Sequence, residues 1–173
     1  LIFTAFTTGA LAQCPKNPAI SEELDEAYRS LKFAKFPRDA QVATDVLWSL
    51  WTRAPDNRAQ RLLNRGMMNL RLGELAAAEG FLSVLIKYCP DYAEGYNQRA
   101  FARYLAGNFE GALPDLARAL SIQPRHPGAL SGKGLTHLAL GQPELAEIEF
   151  RKEMSLNPFT ADRDLIPHLG TDL

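Results

Sequence analysis

The chain has 173 residues, 46% of them apolar, and its 19 Lys and Arg nearly balance 20 Asp and Glu. That is enough material for one core or a short stacked array, and a formal charge of −1 lacks the basic excess that nucleic acid or anionic membrane attracts. Leu and Ala outnumber Val, Ile and Thr by roughly three to one, which argues against a β-rich fold because straight-chain residues keep their freedom in a helix and β-branched ones suit a pleated surface.

In chain order, the first element is an uncharged run, Leu1 to Pro15. It is shorter than the roughly 20 apolar residues that span a bilayer. It reads as the apolar region of a secretory signal, with Ala10-Leu11-Ala12 as the small-x-small cleavage pattern. Two other readings stay open: lipid attachment at Cys14, against which Gln13 stands in place of a small residue, and a first helix of a soluble protein. The sequence starts without Met, so further residues are expected upstream of Leu1. Residues 1–18 are set apart as a signal-like segment and linker. Cys14 and Cys89 are the two cysteines and belong to no C-x-x-C or Cys/His cluster, so zinc has no ligand set. In an oxidising compartment they can pair; two free thiols are the alternative.

Residues 19–55 read as a helix pair, Ser21–Phe36 and Arg38–Ala54, broken at Pro37 where a turn belongs. Ala43, Leu47, Leu50 and Pro55 fall near the register of the Ala and Pro columns that recur downstream, so this pair is expected to be a degenerate unit capping the N-terminal end. Trp48 and Trp51 are expected to be buried against the next helix.

From Ala59 the chain repeats every 34 residues without a gap: 59–92, 93–126 and 127–160, within a region 56–160. Gly recurs at 73, 107 and 141, where a helix must end and glycine takes the left-handed cap without strain. Pro90, Pro124 and Pro158 cannot continue a helix and separate the units. Small residues recur at Gly66, Ala100 and Gly134 and at Ala78, Ala112 and Ala146, permitting close helix approach, with Leu62, Tyr96 and Leu130 as a further column. Apolar positions between these marks keep helical spacing, so each unit is a helix, a tight turn and a second helix that must stack to bury its stripe. Residues 161–173 form a tail long enough only for a short helix.

These columns resemble the tetratricopeptide repeat family. The resemblance implies an all-α, right-handed α-α superhelix of three clear repeats plus the degenerate N-terminal pair, with first helices lining a concave side. Departures occur at Asn69, Arg103 and His137, where Tyr is usual, and at Arg65, Arg99 and Lys133, where Leu is frequent. Carried onto this sequence, the groove stripes are Leu63, Met67 and Leu70; Asn97, Phe101 and Tyr104; and Ser131, Leu135 and Leu138, with Gln60, Asn64, Arg71, Glu94 and Gln98 as flanking polar groups. Of the Lys/Asn/Arg clamp by which some members hold a terminal carboxylate, only Asn97 survives. The stripe implies an apolar, helical peptide segment as ligand, unless the chain's own ends fill the groove. The signal-like start joined to this repeat type places the protein in a bacterial periplasm.

Chemistry finds no foothold. Gly128 to Gly134 superficially resembles a phosphate loop, but the spacing is one residue short and Gly134 stands where Ser or Thr would hold magnesium. His126, His137 and His168 share no metal spacing and read as surface or satisfied histidines, and no nucleophile motif is present. The expectation is a non-catalytic adaptor for a protein or peptide partner, without cofactor, metal, nucleic acid or membrane span. A self-assembling module is the alternative; RNA binding or an enzyme lies further off.

Overall fold

The computed structural model describes residues 14–15 and 20–166. The signal-like run up to Gln13, and His168 with the end of the tail, lie outside the described residues. Eight α-helices pair into four tandem hairpins: α1 (Ser21–Lys32) with α2 (Pro37–Trp51), α3 (Asn57–Arg71) with α4 (Leu75–Tyr88), α5 (Ala93–Leu105) with α6 (Phe109–Ile122), and α7 (Pro127–Ala139) with α8 (Pro143–Leu156). A short 3-10 turn, Ala161–Leu165, comes after them. No described helix is long and apolar enough to cross a membrane.

The repeat columns perform their physical tasks. Gly73, Gly107 and Gly141 sit at φ of 77°, 75° and 70°, turning the chain between the helices of each pair. The small column sets the helix spacing: a Cβ on Gly66 would lie 2.6 Å from Leu82 Cγ, and one on Gly134 would lie 2.3 Å from the Phe150 ring. Side chains cap three of the first or second helices: Asp56 accepts from Ala59 N–H, Asn108 from Gly111 N–H and His126 from Ala129 N–H. The glycine-rich run that mimics a phosphate loop lies inside α7 and packs against Leu116 and Phe150.

The departures from the usual repeat form a column of their own. The basic residue in each first helix reaches across to the second helix of its pair. Arg65 lies over the Phe81 ring, Arg99 donates twice to Asp115 at 2.8 and 2.6 Å, and Lys133 donates to Glu149 at 2.9 Å. Arg103 adds bonds to Glu79 and to Asp115, and His137 meets Gln142 Oε1 at 2.8 Å. Burial pushes the Glu149 carboxyl up, but the bonds from Lys133 and Lys152 outweigh it and hold the group below its usual range.

Curvature arises from which helices meet. Consecutive pairs pack through α4 on α5 and α6 on α7. First helices also touch, α3 with α5 and α5 with α7, whereas α4, α6 and α8 make no comparable contact with one another among the described residues. The first helices therefore line the inner side.

The N-terminal pair departs from the expected stacking. It has a core of its own, including Leu24, Tyr28, Leu31, Leu47, Leu50 and Trp51, and α2 does not pack along α3 as α4 packs along α5. Instead α1 runs across the edge where the repeats join. Asp25 pairs with Arg125, the Tyr28 hydroxyl accepts from Gln123 Nε2 at 3.4 Å, and α1 reaches α8. Twelve helical residues span about 18 Å, enough to bridge several stacked helices. Its apolar stripe is buried between α1 and α2, and Trp51 of that stripe also stacks on His126 of the repeats.

Candidate functional site

The inner face carries one open apolar column. Phe101 is 49% exposed, the largest apolar side chain presented by α5. Its neighbours Tyr104, Leu135 and Leu138 are half-buried, and Met67 continues the line on α3. The Tyr104 ring rests on Phe109, with centroids 5.4 Å apart. Leu135 and Leu138 rest on the cluster of Ala146, Phe150 and Ile166. A cavity of about 200 Å³ lies here, with Trp48 of α2 on one side and Phe101, Tyr104, Gly132 and Leu135 on the other. Trp48 is 42% exposed, contrary to the expectation that it is buried against the next helix.

Two of the expected groove residues face elsewhere. Leu63 and Leu70 are buried in the cluster of Ala59, Ala78, Leu82 and Leu85. At 100° per residue they are rotated about 40° and 60° from Met67 in the same sense, which turns both away from the groove and into the seam. Asn97, in the same column as Leu63, is largely buried and donates to Glu94, but it lines the floor of the cavity beside Phe101. Arg71 is exposed at the end of α3, so it can meet a ligand only beyond the apolar column. Gln60 is occupied by the connector before α3, accepting from Ala54 N–H and donating to Thr52 O and Asn64.

The polar residues Glu94 and Gln98, expected on the groove rim, belong to a buried cluster, and Gln98 also lines the cavity beside Phe101. Glu94 accepts from Gln98 Nε2 at 2.5 Å and from Asn97 Nδ2, and its Oε2 lies 2.9 Å from His126 Nε2. His126 Nδ1 accepts from Ala129 N–H at 3.2 Å, so the proton sits on Nε2 and is donated to Glu94. Trp51 stacks on this histidine with ring centroids 4.0 Å apart. The Tyr92 hydroxyl donates to the Trp51 carbonyl at 2.5 Å. Burial, with the Glu94 charge adding to it, pushes the Tyr92 phenol far up. His126 is thus a satisfied histidine. The i, i+4 pair Glu94 and Gln98, close to a helix start, is the signal that could have located it.

Cys14 and Cys89 are joined in a disulfide across 75 residues of sequence, and Cys89 is buried at the end of α4. Among the described residues no group of three His, Cys, Asp or Glu is placed to hold a metal ion.

The fold and this inner face define a helical-hairpin solenoid with a single open apolar column. No family model matches the chain. It is 28% identical over 142 residues to a TPR repeat-containing protein of Rhizobium etli, covering 82% of this chain and 69% of that one. It is 31% identical to tetratricopeptide repeat protein 36 of Bos taurus, covering 68% of this chain and 64% of that one. The chain thus spans about two thirds of these relatives. Among solved structures it resembles the first TPR of Spaghetti (RPAP3) bound to the HSP90 peptide SRMEEVD, with a TM-score of 0.63 at 19% identity over 65% of this chain and 90% of that one. It also resembles the Arabidopsis OM64 TPR domain, with a TM-score of 0.62 at 21% identity over 66% and 96%. With MamA the TM-score is 0.54 at 22% identity over 77% and 70%. These homologues and fold neighbours support a tetratricopeptide-repeat solenoid for this chain.

Proposed function

We propose that this protein is a non-catalytic scaffold that holds an apolar peptide segment of a partner protein on its inner face. The observation that carries this is Phe101, 49% exposed, with half-buried Tyr104 and Leu135 beside it around a cavity of about 200 Å³. An aromatic ring standing half in water on a rigid helix is the kind of anchor that peptide grooves offer. The structural neighbour seen with an HSP90 peptide supports the mode of binding. It does not carry the ligand over, since only Asn97 remains of a carboxylate clamp and its side chain is committed to Glu94. The ligand is therefore an internal apolar stretch rather than an acidic terminus.

Export to an oxidising compartment, the periplasm, is part of the same reading. It is supported by the uncharged opening run and by the Cys14–Cys89 pairing. Self-association is a second reading, favoured by exposed Met68 and Leu72 on α3 and by exposed Leu145 and Ile148 on α8. Sedimentation across a concentration series separates the two.

The test is crosslinking pull-down from the native envelope with wild type and with Phe101→Ala/Tyr104→Ala. The expected result is a partner lost in the double variant while its helical circular dichroism is unchanged. Equal capture by both would show that the groove is not where the partner binds.

A further inference from the structure

We infer that the α1–α2 hairpin is a built-in occupant of part of the inner face, where Trp48 of α2 lines the cavity with Phe101 and Leu135, and that the Cys14–Cys89 bond is the latch that keeps it there. This rests on the groove being the binding face and adds how access to it is controlled.

Four observations carry the inference. The hairpin has its own core and does not stack along α3, so the repeats need nothing from it to continue their pattern. What holds it is a set of single contacts: Trp51 on His126, Tyr92 to the Trp51 carbonyl, Tyr28 to Gln123 and Asp25 to Arg125. Between hairpin and repeats lies a cavity of about 780 Å³, bordered by Ile20, Leu24 and Trp51 on one side and Tyr88, Tyr92 and Gln123 on the other. Finally, the chain immediately before α1 is bonded covalently to the end of α4.

The chain enters the hairpin at Ile20, six residues beyond Cys14, so the bond confines the start of α1 within about 20 Å of Cys89. Confinement on that scale keeps the hairpin at a local concentration of about millimolar against its seat, which makes weak contacts sufficient. The connector Thr52–Asp56 holds the end of α2 over a similar distance, so the bond adds restraint at the opposite end of the hairpin and without it the hairpin can swing about the connector. Opening requires a dithiol reductant. Its thiolate attacks Cys14, the more accessible sulfur, and expels Cys89 as thiolate; its second thiol then releases Cys14. Two electrons and two protons pass to the cysteine pair, and the reductant leaves as its own disulfide. The seat thus uncovered is the Glu94–His126 cluster with the flank of Phe101.

The hairpin also supplies its own reporter, since both tryptophans of the chain lie on α2. The experiment is hydrogen exchange with acrylamide quenching on the full chain, oxidised and after dithiothreitol, with Cys14→Ser as the reductant-free equivalent. The expected result is amide exchange in α1 and α2 faster by about tenfold or more and greater tryptophan quenching, while α5 to α8 stay within about twofold. Unchanged hairpin exchange after reduction would show that the bond is no latch. Equal acceleration in α1–α2 and α5–α8 would show that it stabilises the whole chain instead. Either outcome leaves the pull-down result standing, so failure of the latch is separable from failure of the groove.

Discussion

The N-terminal hairpin and the three repeats after it are built from similar helices, yet they are held by different kinds of contact. In the repeats each stabilising feature occurs three times: a left-handed glycine, a small residue under a facing side chain, and a basic residue reaching the second helix. Each pair leans on the next, so stability accumulates along the stack. In the hairpin every contact to the rest of the molecule occurs once. Loss of one repeat contact weakens packing that neighbouring pairs support, whereas loss of one hairpin contact weakens a docking that no neighbouring unit duplicates.

That contrast orders the expected mutational effects. Phe150→Ala removes a fully buried ring from the last pair and should cost about 3–5 kcal/mol, read as a lowered midpoint of the helical transition. Gly134→Ala places a methyl against that same ring and should cost about 1–3 kcal/mol by overpacking. If either left the transition unmoved, the repeats would not share one core. Trp51→Ala should leave that helical transition nearly in place while hairpin amides exchange faster. A drop of the repeats together with the hairpin would erase the distinction between the regions.

A subtler comparison concerns the C-terminal end, where the tail docks through Glu153. Burial, helped by the nearby Asp162 carboxylate, pushes the Glu153 carboxyl up to about 8. Its Oε1 accepts from Thr160 at 2.7 Å. The raised value means that docking is favoured in full below about pH 4.5, where the free carboxyl is also protonated, and weakens as pH rises through about 8. Exchange of amides Asp162 to Ile166 should therefore quicken from acid to mildly alkaline pH. Glu153→Gln should abolish the trend, and a trend that persists would place the titrating group elsewhere.

Legibility in the sequence divides along the same line. Periodicity exposes the turn inside each of the three repeats because Gly73, Gly107 and Gly141 each answer one steric demand in register. It also places Phe101, Tyr104, Leu135 and Leu138 on the inner face. It fails for Leu63 and Leu70, where a turn of about 40–60° separates groove from seam and residue type alone does not resolve it. The docking of the hairpin is illegible for a different reason. Trp51 meets His126 75 residues away in a contact with no periodic counterpart. The departures at Arg65, Arg99 and Lys133 resemble weakened packing in the sequence and are cross-pair contacts in the structure, because their partners Phe81, Asp115 and Glu149 recur at the same distance along the chain.

The most direct measurement places a photo-crosslinking amino acid at Phe101 on the inner face and, separately, at Ile148 on α8, in the protein expressed in its native host. An inner face that binds a partner predicts a discrete adduct from position 101 and none of the same mass from position 148. Equal adducts from both positions, or a partner captured only from α8, would contradict it.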